Sequence, residues 1–149
     1  LFRSNAVPAG ASAAAEALQR LAVITGSEEY ARIAARLLRG MVPHLHRSAL
    51  AFGNWFKVLE LYFADPSEVA IVGDRAGADT RALLGALYAR YKPNRTLVGW
   101  EPAEPTPFAS PILEDRGQID GRATAYVCHG YVCELPTGDP LELARQLFA

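Results

Sequence analysis

The stretch Glu68-Val69-Ala70-Ile71-Val72-Gly73 decides the fold. It is a short β-branched run that ends in glycine, the pattern of a strand buried in a parallel sheet. Immediately downstream, Asp79 or Thr80 is placed to cap a helix to about Tyr91 whose Leu83, Leu84, Leu87 and Tyr88 face one way. Lys92-Pro93-Asn94 then turns the chain into a second strand, Arg95-Thr96-Leu97-Val98-Gly99-Trp100. Strand, helix and strand within residues 68–100 predict a βαβ unit, with the right-handed crossover that parallel strands in one sheet almost always adopt.

Toward the C-terminus, Pro102, Pro105, Pro107 and Pro111 interrupt residues 101–120, which read as an ordered but irregular excursion over the surface. A third strand is expected from Ala123 to Cys128. The last helix has a well-specified start, with Asp139 as N-cap, Pro140 at the first helical position and Glu142 to complete a capping box.

Toward the N-terminus, Ala14, Leu18, Leu21 and Ala22 recur at helical spacing between Ala11 and Thr25, and Gly26 ends that helix. Ser27 caps the next, followed by Glu28 and Glu29 where the helix dipole favours negative charge; its stripe is Ile33, Leu37, Leu38 and Met41. After Pro43 a polar linker carrying His44 and His46 is expected to reach Asn54, the cap of a third helix bearing Trp55, Val58, Leu59, Tyr62 and Phe63. Asp65-Pro66 stops it. The expected class is therefore mixed α/β: N-terminal helical hairpins over residues 1–65, then a small, mostly parallel βαβ sheet domain with a C-terminal helix over residues 66–149.

Composition narrows the function. With 50% hydrophobic and 21% charged residues the chain has the balance of an ordinary globular protein. A net charge of −1, from 15 basic and 16 acidic side chains, includes no like-charge run that would track a phosphate backbone, so nucleic acid is not an expected partner. Glu16, Arg20, Arg32, Arg36 and Lys57 break the apolar stretches well short of the ~20 residues a spanning helix needs, so no membrane partner is expected either. The chain opens Leu1-Phe2-Arg3, with no initiator Met and no leader, which predicts an upstream segment. Its two cysteines are too few for a secreted disulfide framework, and a cytoplasmic location is expected.

Several segments carry a resemblance: Asn5-Ala6-Val7-Pro8-Ala9-Gly10-Ala11-Ser12, Glu68 to Asp74, Tyr91-Lys92-Pro93-Asn94, Ala123 to Cys128 with Cys133, and Thr137-Gly138-Asp139-Pro140. In this order they resemble the end of the thioredoxin-domain-containing, spermatogenesis-associated-20-like proteins, over essentially the whole chain. The resemblance implies an upstream thioredoxin-like domain, then an (α/α)6 toroid similar to N-acylglucosamine 2-epimerases and six-hairpin glycosidases, then a small α/β segment. Residues 1 to about 64 would supply closing helices of that toroid, and the upstream domains of the same parent chain would be the partners. The family usually reads Pro-Ser-Gly-Asn-Ser near the start, and here Ala9 and Ala11 replace the first Ser and the Asn. A ligand held by those polar groups in relatives would lose contacts here.

Four places could carry chemistry. A hairpin turning at His129-Gly130 would bring Cys128 and Cys133 together for redox or zinc chemistry; the other reading is cysteines packed as small hydrophobes, since neither Cys-x-x-Cys nor four-ligand zinc spacing is present. The loop Gly73-Asp74-Arg75-Ala76-Gly77-Ala78-Asp79 lies where backbone N–H groups can hold a phosphate, but its carboxylates would repel an anion and it matches neither G-x-G-x-x-G nor a P-loop. Asn5 and Ser12 would line the central pocket if the toroid analogy holds; as local signals they are turn and cap residues. Trp55, Phe56, Tyr62 and Phe63 could form a sugar platform or pack into a core. His44 and His46 have no third ligand nearby.

No catalytic residue, cofactor or metal site can be assigned. The favoured reading is a non-catalytic C-terminal module that completes and caps a toroid. One alternative is a part of an epimerase- or glycosidase-like enzyme whose acid and base groups lie upstream. The other is a thiol redox role for Cys128 and Cys133. Helices 11–25 and 54–64 are expected to expose an apolar face, which a homo-oligomer could hide.

Overall fold

The computed structural model describes residues 8–64, 66–105, 108–130 and 132–148. The chain divides into two compact units, Leu1–Ala64 and Asp65–Ala149.

The first unit is helical: α1 (Gly10–Thr25), α2 (Glu28–Leu45), a 3-10 turn (Leu50–Phe52) and α3 (Gly53–Phe63). Gly26 closes α1 in the left-handed conformation at φ 68°, and Ser27 accepts a hydrogen bond from the Tyr30 N–H to start α2. The two helices pack as the expected hairpin, and Ala15, Leu38, Met41, Leu45, Phe52, Trp55 and Val58 form one core with α3.

Three details differ from the sequence expectation. The buried residues of α1 are Ser12 and Ala15, while Ala14 is exposed and Leu21 is 41% exposed. An alanine-rich helix offers small apolar groups all round, so periodicity does not fix its rotation; the contact of Ser12 with α3 does. Helix α2 continues through Pro43 to Leu45, placing His44 in its last turn rather than in a linker. Proline there removes one intrahelical bond, and burial of Met41 and Leu45 on either side holds the turn in place. Asn54 does not cap α3, which begins at Gly53 without a side-chain cap; it donates instead to Ser12.

The second unit is a sheet in the order β2-β1-β3-β4, built from β1 (Ser67–Val72), β2 (Arg95–Trp100), β3 (Thr124–His129) and β4 (Val132–Cys133), with α4 (Ala78–Tyr88) and α5 (Pro140–Phe148). The βαβ unit is present: β1 and β2 are parallel, with Ser67 opposite Arg95 and Val72 opposite Trp100. The remaining pairings are antiparallel, so the sheet is mostly antiparallel rather than mostly parallel. The reason is where the irregular segment begins and ends. It leaves β2 at Trp100 and enters β3 at Thr124, and both residues pair with Val72, at the same end of the sheet. A parallel β3 would need a crossover back along the sheet, usually a helix, which the prolines of this stretch do not form.

Strand alternation gives the sheet two covered faces. On one, Val69, Ile71, Ala125 and Val127 pack with Leu83 and Leu87 of α4 and Leu143 and Leu147 of α5. Burying each such leucine is worth about 1.5–3 kcal/mol. On the other face stand Glu68, Ala70, Val72, Thr124, Tyr126 and Cys128, and the irregular segment reaches it through Arg116 at Cys128, Gly117 at the Tyr126 hydroxyl and the Ile119 N–H at Thr124 Oγ1. Lys92 and Arg95 donate to the Leu147 and Leu87 carbonyls near the C-terminal ends of α5 and α4, where the helix dipole favours a cation.

Helix boundaries also shift. α4 ends at Tyr88, and Asp79 lies in its first turn instead of at the cap. Asp139 caps α5 through Oδ1, 2.9 Å from the Leu141 nitrogen, but the reciprocal half of the capping box is absent. The Asp139 N–H donates to Thr137 Oγ1 at 3.0 Å, and Glu142 pairs with Arg145 at 2.9 Å.

Candidate functional site

The cysteines sit where the hairpin ends. His129 pairs with Val132, so the reversal is tight, and Gly130 supplies it with a left-handed φ of 49° that a side chain would resist. This sets Cys128 opposite Cys133, and the two are joined by a disulfide. The outgoing arm stays on β3, since the Glu134 N–H donates to the Val127 carbonyl at 2.9 Å and Ala125 and Thr137 exchange backbone bonds. The two sulfurs belong to unequal surroundings: Cys128 is 2% exposed and Cys133 is exposed.

Arg116 lies against this disulfide. Its Nη2 is 3.1 Å from Cys128 Sγ and 3.7 Å from Cys133 Sγ. Its guanidinium carbon stands 5.5 Å from the centre of the Tyr126 ring, a cation–π distance. Tyr126 is itself fixed, with its hydroxyl donating to the Gly117 carbonyl at 2.7 Å and accepting from the Gly117 N–H at 3.3 Å. Burial pushes the Arg116 guanidinium below its ordinary pKa, and the charge of Glu68, with a smaller contribution from Tyr126, acts in the opposite direction. Its Nη1 is buried without a hydrogen-bond partner among the described residues. On the opposite parity of the same strands, Ser67 Oγ lies 3.3 Å from His129 Nδ1.

The loop after β1 is occupied by its own carboxylates. Asp74 Oδ1 accepts from the Ala76 N–H at 2.8 Å, and the Asp74 carbonyl accepts from the Gly77 N–H at 2.9 Å. Asp79 accepts from Thr80 through one oxygen and from Ala123 through the other. These bonds, the one from Ala123 foremost, hold its carboxyl below the usual carboxylate pKa. A small cavity of about 130 Å³ adjoins the loop, lined by Arg75, Thr80 and Trp100 among others, and Thr80 Oγ1 is buried there without a partner among the described residues.

In the helical unit, Asn5 lies outside the described residues. Ser12 is fully buried; its hydroxyl donates to the Ala9 carbonyl at 2.8 Å and accepts from Asn54 Nδ2 at 3.0 Å. A groove of about 880 Å³ has Met41, Phe52 and Trp55 in its wall and Arg36, His44 and Arg47 among its polar groups. Trp55 is buried with its indole N–H unpartnered among the described residues, whereas Phe56, Tyr62 and Phe63 of the same helix are 38%, 48% and 76% exposed. The four aromatics are thus divided: one is core and three face outward. His46 is exposed at the end of α2. Among the described residues no cluster of three metal-ligating side chains occurs, and no helix is long and apolar enough to cross a membrane.

Sequence reasoning found the cysteine pair and missed Arg116. That residue lies in the segment without periodicity, so no pattern linked it to Cys128; the one clue is Tyr126, two residues before Cys128 and therefore on the same face of the strand.

Fold and site together define a mixed α/β chain with a helical unit and a disulfide-bearing sheet unit. Over 148 residues, 97% of its length, it is 30% identical to spermatogenesis-associated protein 20 of Homo sapiens, and 28% identical to the proteins of that name from Rattus norvegicus and Mus musculus. The matched region is 19% of each relative, so the chain spans about a fifth of the length of the curated relatives it matches. This is homology to part of spermatogenesis-associated protein 20, and it agrees with the family resemblance carried by the sequence motifs. No family model matches the chain. No solved structure matches it.

Proposed function

We propose that this chain is a non-catalytic part of a longer thioredoxin-domain-containing protein, and that its helical unit supplies closing helices of an α/α toroid. The observation that carries this reading is the coverage, 97% of this chain against 19% of the relative. A groove floored by Trp55, beside a helix that exposes Phe56, Tyr62 and Phe63, supports it, because apolar surface of this kind commonly marks a packing partner. The experiment is hydrogen exchange of the α3 amides in this chain and in the full-length parent. Slower exchange across Gly53–Phe63 in the parent is expected. Equal exchange in both would remove the toroid reading.

A further inference from the structure

The geometry points to the Cys128–Cys133 hairpin as a thiol–disulfide exchange site, in which Arg116 stabilises the Cys128 thiolate released when an external dithiol attacks Cys133. Nothing in the proposed packing role requires this chemistry; it stands on the sheet unit alone.

Access decides which sulfur is attacked. Exchange proceeds by a thiolate approaching one sulfur of the disulfide, and only Cys133 is exposed to such an approach. Attack there makes Cys128 the leaving sulfur, and Cys128 is the one 3.1 Å from Arg116 Nη2. A disulfide sulfur is a weak, neutral acceptor, whereas the departing sulfur carries a full negative charge. The guanidinium therefore binds the product side of the step more strongly than the resting disulfide, which is the condition for accelerating it. Arginine remains a cation at neutral pH. It is held in place beforehand by the Tyr126 ring, and the spare Nη1 gives it a further donor. The charged and titratable groups facing it are Glu68 on β1, opposite Cys128 in register, and Tyr126 on β3. Glu68 shares the arginine's charge and so moderates the thiolate's gain.

A thiolate of the dithiol forms a bond to Cys133 Sγ while the Cys133–Cys128 bond breaks, and the electron pair leaves with Cys128. The second thiol of the reagent then attacks its own mixed-disulfide sulfur and releases Cys133. The dithiol ends as an internal disulfide, oxidised by two electrons; of its two protons one goes to Cys133 and the other to solvent, with Cys128 kept as thiolate.

The test is the rate at which dithiothreitol reduces the native chain at neutral pH, read by alkylation and mass, for wild type, Arg116→Met and Arg116→Lys. Wild type is expected to reduce without denaturant, Arg116→Met about tenfold more slowly, and Arg116→Lys to recover most of the rate by restoring the charge. In the reduced wild type the ultraviolet thiolate signal should titrate below the ordinary thiol value of about 8.5. Equal rates in wild type and Arg116→Met would remove the arginine from the exchange, and a disulfide that resists the reagent until the chain is denatured would make the bond a structural staple; either result overturns the proposal. Should Arg116→Met fail to fold by circular dichroism, the wild-type thiolate titration decides: an ordinary value rejects the assignment.

Discussion

Asp79 Oδ2 accepts the backbone N–H of Ala123 at 2.8 Å, joining the first turn of α4 to the residue before β3 across 44 positions of sequence. Ala123 is buried, so its N–H has no access to water and would otherwise go unpaired. The other oxygen serves the N–H of Thr80 at 2.9 Å. One carboxylate thus closes the ring between the βαβ unit and the antiparallel half of the sheet.

Asp79→Asn separates the charge from the shape. The amide can still accept from Thr80, but its nitrogen cannot accept from Ala123. The Asp79 pKa is lowered from its ordinary 3.8, chiefly by the Ala123 bond. A depressed carboxyl stabilises the fold above the unfolded value, and that contribution is lost as pH falls through the folded one. Wild type should therefore melt higher than Asp79→Asn near neutrality, and the two should converge in acid. A constant gap across the whole range would remove the charge from the account.

Gly73 is a glycine because β3 is close. A Cβ at this position would lie 2.7 Å from the Ala123 Cβ and 2.7 Å from Thr80 Oγ1. Gly73→Ala should cost about 1–3 kcal/mol in urea unfolding, as overpacking does. Ala123→Gly on the Gly73→Ala background should recover part of it, since the two changes share one contact and will not add.

The parts of the fold that were legible in the sequence are those where local chemistry and packing agree. Val69-Ala70-Ile71-Val72 could only be buried, Gly26 could only end a helix cheaply, and Ser27 had its acceptor in the right place. The direction of β3 was not legible, because it depends on where a proline-rich segment without periodicity returns to the sheet. The same segment hid Arg116. The candidate site was therefore half visible: the sulfurs could be brought together by a hairpin, but the cation beside them comes from a loop that no sequence pattern ties to the strand. The rotation of α1 was lost for another reason, since alanine on every side leaves the buried Ser12–Asn54 bond to set it.

That bond can be measured. Ser12→Ala removes the acceptor of Asn54 Nδ2 in a fully buried position, and is expected to cost about 1–3 kcal/mol, the price of an unpaired polar group. Adding Asn54→Ala should cost less than it does on the wild-type background, because its partner is already gone. A double-mutant cycle with no coupling energy would mean that packing alone orients α1.

The two cysteines should also differ when each is left alone. In Cys128→Ser the remaining Cys133 is exposed, on a strand edge, and its alkylation rate should rise about tenfold per pH unit below an ordinary thiol pKa, because only the thiolate reacts. In Cys133→Ser the remaining Cys128 is buried beside Arg116, so bulky reagents should reach it slowly. Its rate with a small reagent should nevertheless climb less steeply through neutral pH than that of Cys133, because the proposed role of Arg116 is to favour the thiolate. Burial alone would slow Cys128 and raise its pKa, giving a rate that climbs with pH even more persistently than that of Cys133. The slope of rate against pH, rather than the rate itself, therefore distinguishes a cysteine held as thiolate by its arginine from one that is merely inside the protein.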